Sequence, residues 1–193
     1  MDPSSLKGRN KRLYNEWREM DRRFGASHPR ISFTVERTNA LDLPTVYRVF
    51  YNIPSFCGVE NIEAVNTPGV VNAPIIASSF QMMITLPENY PCADGAPKYC
   101  FAALSSDNTT IPMPWHPNIR FFSMLAGRVC LNINDTFASL AHCVERIGSL
   151  LAYDLYHAEN FPPYPEDLTV AQWVREQAEP NGWIDQLKHY ESL

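Results

Sequence analysis

One cysteine and two polar residues upstream of it have the types and spacing that acyl-transfer chemistry needs. Cys130 lies in segment 127–132, Gly-Arg-Val-Cys-Leu-Asn, fourteen positions after His116 in the His-Pro-Asn of 116–118. A thiolate is a nucleophile that can carry an acyl group as a covalent intermediate. The amide of Asn118 could stabilise the negative charge that develops on a carbonyl oxygen, or it could hold its own loop through backbone hydrogen bonds. The alternative for Cys130 is a buried, inert thiol.

The remaining cysteines and histidines give no sign of a metal or cofactor site. Cys57, Cys92, Cys100 and Cys143 lack any comparable context, and the chain has no Cys-x-x-Cys pair. Its five histidines are scattered without the spacing of zinc ligands. Because the sequence has no glycine-rich phosphate loop and no dinucleotide fingerprint, we predict no cofactor and no ATP site.

Length, charge and cysteine content favour one compact cytoplasmic domain over residues 1–193. We expect a core at about 6–178 and a C-terminal helical extension at 179–193. A chain of 193 residues and 22.0 kDa buries roughly 70% of its unfolded surface, so it needs no disulfide or metal for stability. The odd cysteine count, with no secretory signal and no long apolar run, predicts reduced thiols and no membrane partner. A net charge of −5 argues against nucleic-acid binding.

The first 25 residues predict an amphipathic helix with one basic face. Its apolar positions fall in a narrow arc at helical spacing: Leu6, Leu13, Trp17, Met20 and Phe24. The opposite side carries Lys7, Lys11, Arg18 and Arg22, and Gly25 is expected to end the helix. The basic face is either an ordinary solvated surface or a docking site for an acidic protein partner.

The middle of the chain predicts a four-stranded antiparallel meander and a long loop. Short runs rich in β-branched and aromatic residues occupy 31–37, 46–53, 75–86 and 98–104. Segment 56–73 has no clear period and is an irregular insertion or a short extra strand. Segment 87–130 is rich in proline and glycine. Loops of this length are usually functional, and this one contains the candidate site.

Helices are predicted after the loop. The spacing of Leu140, Val144, Ile147 and Leu151 predicts a central helix over 139–153. Thr169 and Gln172 have the spacing of a capping box that opens another helix, and 183–190 suggests a last one. We expect Trp17, Trp173 and Trp183 in the core. Trp115 either walls the site or fills the core beneath the loop.

Element order and four short strings together resemble the ubiquitin-conjugating enzyme family. The strings are the strand exit at 84–91 with Ala-Pro at 96–97, the His-Pro-Asn of 116–118, the Val-Cys-Leu of 129–131, and Ile-Gly-Ser-Leu-Leu at 147–151. They occur in the order that the family shows. The resemblance implies an α+β ubiquitin-conjugating fold over roughly 6–178.

The resemblance also implies an activity. Cys130 would accept a ubiquitin-like protein as a thioester from a separate activating enzyme, then transfer it to an amine of an acceptor protein. Asn118 would serve the transfer, and His116 would mainly shape the loop, with a role as general base the weaker alternative. Arg128 could favour the thiolate, and the basic helix would dock the activating enzyme. The family's acidic gate for the acceptor amine would fall at Asp154, Glu159 or Asn160.

Departures from the family pattern point to a bacterial member. The histidine-to-cysteine spacing is longer than in most eukaryotic members, so 120–126 should form an enlarged loop. Asp-Thr-Phe-Ala-Ser at 135–139 replaces their Trp-Ser-Pro. Segment 153–173 is more similar to prokaryotic members from phage-defence operons. Two alternatives stay open: a non-catalytic scaffold of the same fold that binds a ubiquitin-like protein or a defence nucleotidyltransferase, and a thiol hydrolase. A stand-alone conjugation pathway and a cyclic-nucleotide defence system are equally open.

Overall fold

A four-stranded antiparallel sheet flanked by helices forms the centre of the molecule. The computed structural model describes residues 3–25, 28–92, 94–102, 110–131 and 138–190. Strand order in the main sheet is β1-β2-β5-β6, and β3 and β4 form a second, two-stranded sheet. The elements are α1 (Gly8–Phe24), β1 (Ile31–Thr38), β2 (Pro44–Tyr51), β3 (Ser55–Val59), β4 (Pro74–Ala77), β5 (Phe80–Thr85), β6 (Lys98–Phe101), α2 (Leu140–Leu151), α3 (Leu168–Trp173) and α4 (Trp183–Tyr190).

The predicted N-terminal helix is confirmed as α1. Leu13, Met20 and Phe24 are buried against the sheet, as their helical spacing requires. Gly25 follows the last helical residue with φ −61°, an ordinary value. Glycine is needed there because a Cβ would stand 2.6 Å from the Asp21 carbonyl oxygen. Close approach of the backbone therefore explains Gly25.

The predicted central helix is confirmed as α2. Val144 and Ile147 are completely buried in the same cluster as the α1 side chains and the inner face of the main sheet. At the start of α2 the Ser139 hydroxyl accepts a hydrogen bond from the His142 N–H at 3.2 Å, as an N-cap residue does. The central helix thus lies on the sheet face where the apolar spacing predicts it.

One carboxylate that the sequence does not single out ties α1 to α2. Glu16 is 2% exposed. One of its oxygens accepts the Tyr90 hydroxyl at 2.6 Å and pairs with Arg12 at 2.6 Å. The other oxygen accepts the Leu140 N–H at 2.7 Å, so Glu16 also satisfies an unpaired donor at the start of α2. We call Glu16 the framework carboxylate.

The strand predictions need one correction, because 75–86 is two strands of different sheets. Its first part is β4, which pairs with β3, and its second part is β5, which pairs with β2 and β6. A run of β-branched residues indicates extended backbone but does not say which partner each half pairs with. Segment 56–73 does hold an extra strand, β3, and a short 3-10 turn, Ile62–Ala64. Residues 103 and 104 of the fourth predicted strand lie outside the described residues.

A second cluster of buried side chains packs the β3–β4 hairpin against the C-terminal helices. It contains Phe56 of β3, Tyr153 after α2, and Trp115. Trp173 of α3 contacts the Phe56 ring edge to face, with centroids 5.6 Å apart. The main sheet and this cluster lie on either side of the 110–131 segment, so both determine where the candidate site residues lie.

The capping box predicted at Thr169 is wrong. Asp167 caps α3, since its Oδ1 accepts the N–H groups of Thr169 and Val170 at 3.1 and 3.2 Å. Both Asp167 and Thr169 belong to types that cap helices, and the tertiary contacts of Asp167 described below select it. A π-helical turn, Val174–Ala178, continues α3, and Trp183 at the start of α4 stacks on Trp173 with centroids 5.9 Å apart.

Candidate active site

Cys130 and Asn118 lie opposite one another on paired segments at the edge of the sheet. Residues 127–130, the cysteine ribbon, pair on one side with β6: Phe101 N–H donates to the Gly127 carbonyl at 2.8 Å. On the other side, Ile119 pairs with Val129, and Cys130 N–H donates to the Asn118 carbonyl at 2.8 Å. The backbones of Cys130 and Asn118, two residues that the sequence predicts as a site, are therefore hydrogen-bonded neighbours.

Gly127 allows the cysteine ribbon to approach β6 this closely. Its φ is +87°, in the left-handed region that favours glycine. A Cβ built there would stand 2.1 Å from the Phe101 carbonyl oxygen, which is a severe overlap. The glycine three positions before the cysteine is therefore required both by its backbone conformation and by its contact with β6.

Hydrogen bonds fix the side chain of Asn118 in one orientation. The residue is 4% exposed, and its Oδ1 accepts the His157 N–H at 3.0 Å. Since Oδ1 is occupied, the Nδ2 hydrogens are the part of the amide left to donate, and the described residues provide no acceptor for them. An amide held in this way can donate to an oxygen that gains negative charge without first having to reorganise.

His116 is completely buried and holds the loop from within. Its Nδ1 accepts the Asn118 N–H at 3.1 Å, and its ring packs edge-on against Tyr153 with centroids 4.7 Å apart. Burial lowers the pKa of His116 to about 3, and a weak interaction with the Leu155 backbone opposes the shift only in part. The ring is therefore neutral near pH 7, with its acceptor nitrogen occupied. This geometry fits a loop-shaping residue rather than a proton acceptor.

The thiol of Cys130 is half-buried, and none of the five cysteines forms a disulfide. Cys143 is buried in α2, and partial burial raises the pKa of the Cys57 thiol. Arg128, two positions before Cys130 in sequence, donates from its guanidinium to Glu166 Oε1 at 2.9 Å from Nε and 2.6 Å from Nη2. Its charge is therefore paired with Glu166, and a role in favouring the thiolate stays a prediction.

Two adjacent acids, Glu166 and Asp167, hold the loop that carries the site, and sequence reasoning missed both. We call them the loop carboxylates. Arg120 and Arg128 face each other across the paired segments, and Glu166, whose side chain is 11% exposed, accepts from both.

Asp167, the second loop carboxylate, bonds the turn after Arg120. Its Oδ2 accepts the N–H groups of Phe121 and Phe122 at 3.0 and 3.3 Å. Its own N–H donates to Pro117 at 2.9 Å. The available signal was an Asp directly before the apolar run of α3.

The predicted enlargement at 120–126 is a compact turn. Gly127 N–H donates to the Arg120 carbonyl at 2.7 Å and closes it. Phe121 packs inward on Trp115, with ring centroids 4.7 Å apart, whereas Met124 at its tip is fully exposed. Of the two roles open for Trp115, the structure favours the core, because the residue is completely buried beneath this turn.

The three residues suggested for an acidic gate lie on the segment between α2 and α3. Asp154, Glu159 and Asn160 are all exposed. The contact that this segment makes with Asn118 comes from His157, through its backbone N–H. The His157 ring is half-buried, and its Nε2 lies 3.1 Å from the Phe161 carbonyl oxygen. His157 is a further residue at the site that the sequence reasoning did not name.

The basic face of α1 is exposed but partly neutralised. Lys7, Arg18 and Arg22 are solvent-exposed, and Arg22 pairs with Glu19 at 2.8 Å. Within the described ranges, no group of three or more His, Cys, Asp or Glu side chains is arranged to hold a metal ion. A search of the same residues finds no helix with the length and apolar character that crossing a membrane requires.

Comparison with known proteins identifies the fold. No family model matches the sequence, and no curated protein matches it. A protein from Plasmodium yoelii described as a candidate ubiquitin conjugating enzyme is 20% identical, with a TM-score of 0.50, over 95% of this chain and 94% of that one. The ubiquitin conjugating enzyme E2 of Plasmodium falciparum is 18% identical, with a TM-score of 0.45, over 74% and 96%. Human ubiquitin-conjugating enzyme E2 G1 is 18% identical, with a TM-score of 0.42, over 72% and 91%. The chain has the α+β fold of ubiquitin-conjugating enzymes.

Proposed function

We propose that the protein is a conjugating enzyme that carries a ubiquitin-like protein as a thioester on Cys130 and transfers it to an amine of an acceptor protein. One observation carries the proposal: a half-buried thiol lies opposite a buried asparagine whose amide is already oriented by the His157 N–H. The fold supports the same proposal, and the catalytic roles of Cys130, Asn118 and His116 are part of it.

The reaction divides into two acyl transfers. Exchange of one thioester for another costs little free energy, so Cys130 receives the activated tail from an activating enzyme that has spent the ATP. The acceptor amine then attacks the thioester carbonyl, and negative charge collects on its oxygen. The Nδ2 hydrogens of Asn118 stabilise that charge more in the transition state than in the ground state. His116 keeps Asn118 in place through Nδ1.

The finer parts of the proposal concern source and partners. We propose a bacterial enzyme of the phage-defence type acting on a bacterial ubiquitin-like protein, on the resemblance of segment 153–173 to such members. Five cysteines without a disulfide suit a reducing cytoplasm. One domain over residues 1–193 performs the reaction, and the basic face of α1 docks the activating enzyme.

A charging assay tests the thioester. The protein is mixed with ATP and with an activating enzyme and ubiquitin-like protein encoded beside it, and a reductant-sensitive adduct is sought by gel and mass spectrometry. Cys130→Ala should abolish the adduct. Cys143→Ala, a buried control, and Cys92→Ala, an exposed control, should leave it intact. With a competent activating enzyme, a missing wild-type adduct would support the non-catalytic scaffold instead.

Asn118→Ala separates the two roles that the sequence leaves open for this residue. If the amide stabilises the oxyanion, the variant is charged normally and discharges to amine ~10²–10³ times more slowly. If the amide serves only to pin the loop, charging itself is lost. Circular dichroism and the unfolding midpoint show whether the variant is folded.

Neutralising the basic face of α1 tests the docking proposal. A Lys11→Gln, Arg18→Gln double variant should charge more slowly than wild type, and its charging should depend less on ionic strength, because fewer charges steer the encounter. A control variant on a different helix, Lys188→Gln with His189→Gln on α4, changes exposed side chains and should behave as wild type. Equal charging by both double variants would make the α1 face an ordinary solvated surface.

A further inference from the structure

One step of the proposed reaction, removal of a proton from the acceptor amine, has no residue assigned to it yet. A lysine amine with a pKa of about 10.4 is protonated near pH 7 and cannot attack until it loses a proton. His116 is unsuited to accept that proton, because its ring is completely buried and its Nδ1 is already bonded. Asp154 and Glu159, the acids of the 154–160 segment, are exposed, and the segment's contact with Asn118 is made by His157 instead. His157 is the titratable residue of this segment that contacts the site.

Two hydrogen bonds connect His157 to the cysteine. Its backbone N–H donates to Asn118 Oδ1 at 3.0 Å, and the Asn118 carbonyl accepts the Cys130 N–H at 2.8 Å. His157, Asn118 and Cys130 therefore lie on three adjacent segments of backbone. An amine that approaches a carbonyl held by Cys130 and Asn118 comes next to the segment that carries the His157 ring.

The ring of His157 is set up as a base. Its Nε2 lies 3.1 Å from the Phe161 carbonyl oxygen, and because a carbonyl can only accept, Nε2 carries the hydrogen. In the neutral ring Nδ1 then keeps its lone pair. Nδ1 is also the ring nitrogen closer to the main chain, the part of His157 that bonds Asn118. No described residue hydrogen-bonds Nδ1, and the half-buried ring remains reachable by an incoming group.

We propose that His157 is the catalytic residue that removes the proton from the acceptor amine; this inference rests on the proposed function. The ammonium group gives one proton to Nδ1, which yields a neutral amine and an imidazolium. The amine nitrogen bonds the thioester carbon, and the carbon–sulfur bond breaks with its electron pair going to Cys130. The second proton leaves the nitrogen for the Cys130 thiolate, and the imidazolium returns its proton to water.

Few other ionisable groups lie near His157 among the described residues. Asp154 and Glu159 of the same segment are exposed. The Tyr156 hydroxyl donates to Glu179 at 2.8 Å, and burial raises its pKa to about 12, so it stays protonated near neutrality. From the π-helical turn after α3, the Arg175 guanidinium donates to the Ala158 carbonyl. A loss of discharge to lysine that accompanies removal of the imidazole is therefore assignable to His157.

The test compares two nucleophiles on the same acyl-enzyme. Cys130 is loaded in full-length protein by exchange with a synthetic glycine-terminated peptide thioester, which needs no partner protein, and the adduct is located by mass spectrometry. Single-turnover discharge is then measured with lysine, which must lose a proton first, and with hydroxylamine, which is already unprotonated at neutral pH. His157→Gln keeps a donor for the Phe161 carbonyl and the backbone N–H for Asn118, but its amide cannot act as a base.

With His157→Gln, discharge to lysine at pH 7 should slow by ~10²–10⁴, while discharge to hydroxylamine should change little. His142→Gln, a change at an exposed histidine on α2, should match wild type with both nucleophiles. Equal slowing of both nucleophiles would overturn the proposal in favour of a structural role, and an unchanged lysine rate would overturn it outright.

Failure of the proposed function gives a different pattern. If the synthetic thioester loads Cys130 but no activating enzyme does, the conjugating activity fails while the comparison of the two nucleophiles can still be made. If the synthetic thioester loads Cys92 or Cys100, both exposed, and not Cys130, then the proposed function and the role of His157 fall together.

Discussion

The framework carboxylate and the loop carboxylates both accept backbone N–H groups, but they stabilise different parts of the molecule. Glu16 accepts one helix N–H and a hydroxyl where α1, the turn at Tyr90 and α2 meet. Asp167 accepts backbone N–H groups at the start of α3 and in the 120–126 turn. In the first region an acid joins regular elements. In the second, acids anchor a loop that lies outside the regular elements to the start of α3. Loss of Glu16 should therefore act on stability, and loss of the loop carboxylates should act on the candidate site as well.

The largest effect is expected from Glu16→Ala. It leaves the Leu140 N–H and the Tyr90 hydroxyl without their acceptor and Arg12 without its partner. Removal of one member of a buried pair costs about 3 kcal/mol or more, measured as the free energy of unfolding in urea. Thioester discharge by the protein that remains folded should be unchanged. A slowed discharge would show that the framework carboxylate also acts on the site, and would break the comparison.

Asp167→Ala should lower the unfolding free energy by about 2 kcal/mol, because a helix cap and the acceptor of two loop N–H groups are lost together. Unlike Glu16→Ala, it should also slow discharge from Cys130, since the backbone N–H groups of Phe121 and Phe122 lose their anchor. Asp167→Asn keeps an acceptor oxygen and should recover most of the rate. A stability loss with normal discharge in Asp167→Ala would mean that the loop holds its shape without the acid.

Acid should weaken the loop region through His116. Its folded pKa of about 3 lies below the ordinary value of 6.5, so below pH 6.5 the unfolded chain binds a proton that the folded chain does not. Stability should fall as the pH falls from 7 to 5, by about 2 kcal/mol from this group. His116→Asn, which retains an acceptor near the Asn118 N–H, should show a smaller fall in urea unfolding. Parallel curves for the two proteins would rule out this assignment.

The smallest effect on stability is expected from Glu166→Gln, because Arg120 and Arg128 are both partly exposed and surface ion pairs contribute about 1 kcal/mol or less. Discharge should nevertheless slow about tenfold, since the two arginines face each other next to the cysteine ribbon and a small displacement there is costly. Glu145→Gln, which removes the exposed partner of Arg23, should leave discharge unchanged. Equal rates in the two variants would remove Glu166 from the site.

Sequence patterns predicted a regular element correctly where the spacing of its apolar residues was compatible with a single structure. The helical periodicity of Leu13, Met20 and Phe24, and that of Val144 and Ile147, predicted α1 and α2 because each set has a single buried face to satisfy. The 75–86 run failed because alternation and β-branching indicate extended backbone but carry no information on strand partners. The capping box at Thr169 failed for a related reason, since two residues with suitable side chains, Asp167 and Thr169, lie at the start of α3.

The candidate site was predicted in its residues but not in its supports. Cys130, Asn118 and His116 were visible because they lie close together in sequence within a known pattern, and their catalytic roles stay a prediction. Glu166 and Asp167 were not, because their partners lie 38 to 46 positions away. Arg128, two positions before Cys130, could favour the thiolate from its place in the sequence alone, and the structure pairs its charge with Glu166. Side-chain partners across such distances follow from tertiary packing, which a single sequence does not reveal.

The missing side chain at position 127 has a mechanical consequence. With the Phe101 carbonyl so near the place where a Cβ would stand, the segment that bears the sulfur has no room to slide independently of the neighbouring strand. The position of the sulfur is therefore set by the sheet. Anyone who wished to relocate the nucleophile in a redesigned protein would have to rebuild the margin of that sheet, because changes confined to the surface turn would leave the sulfur where it is.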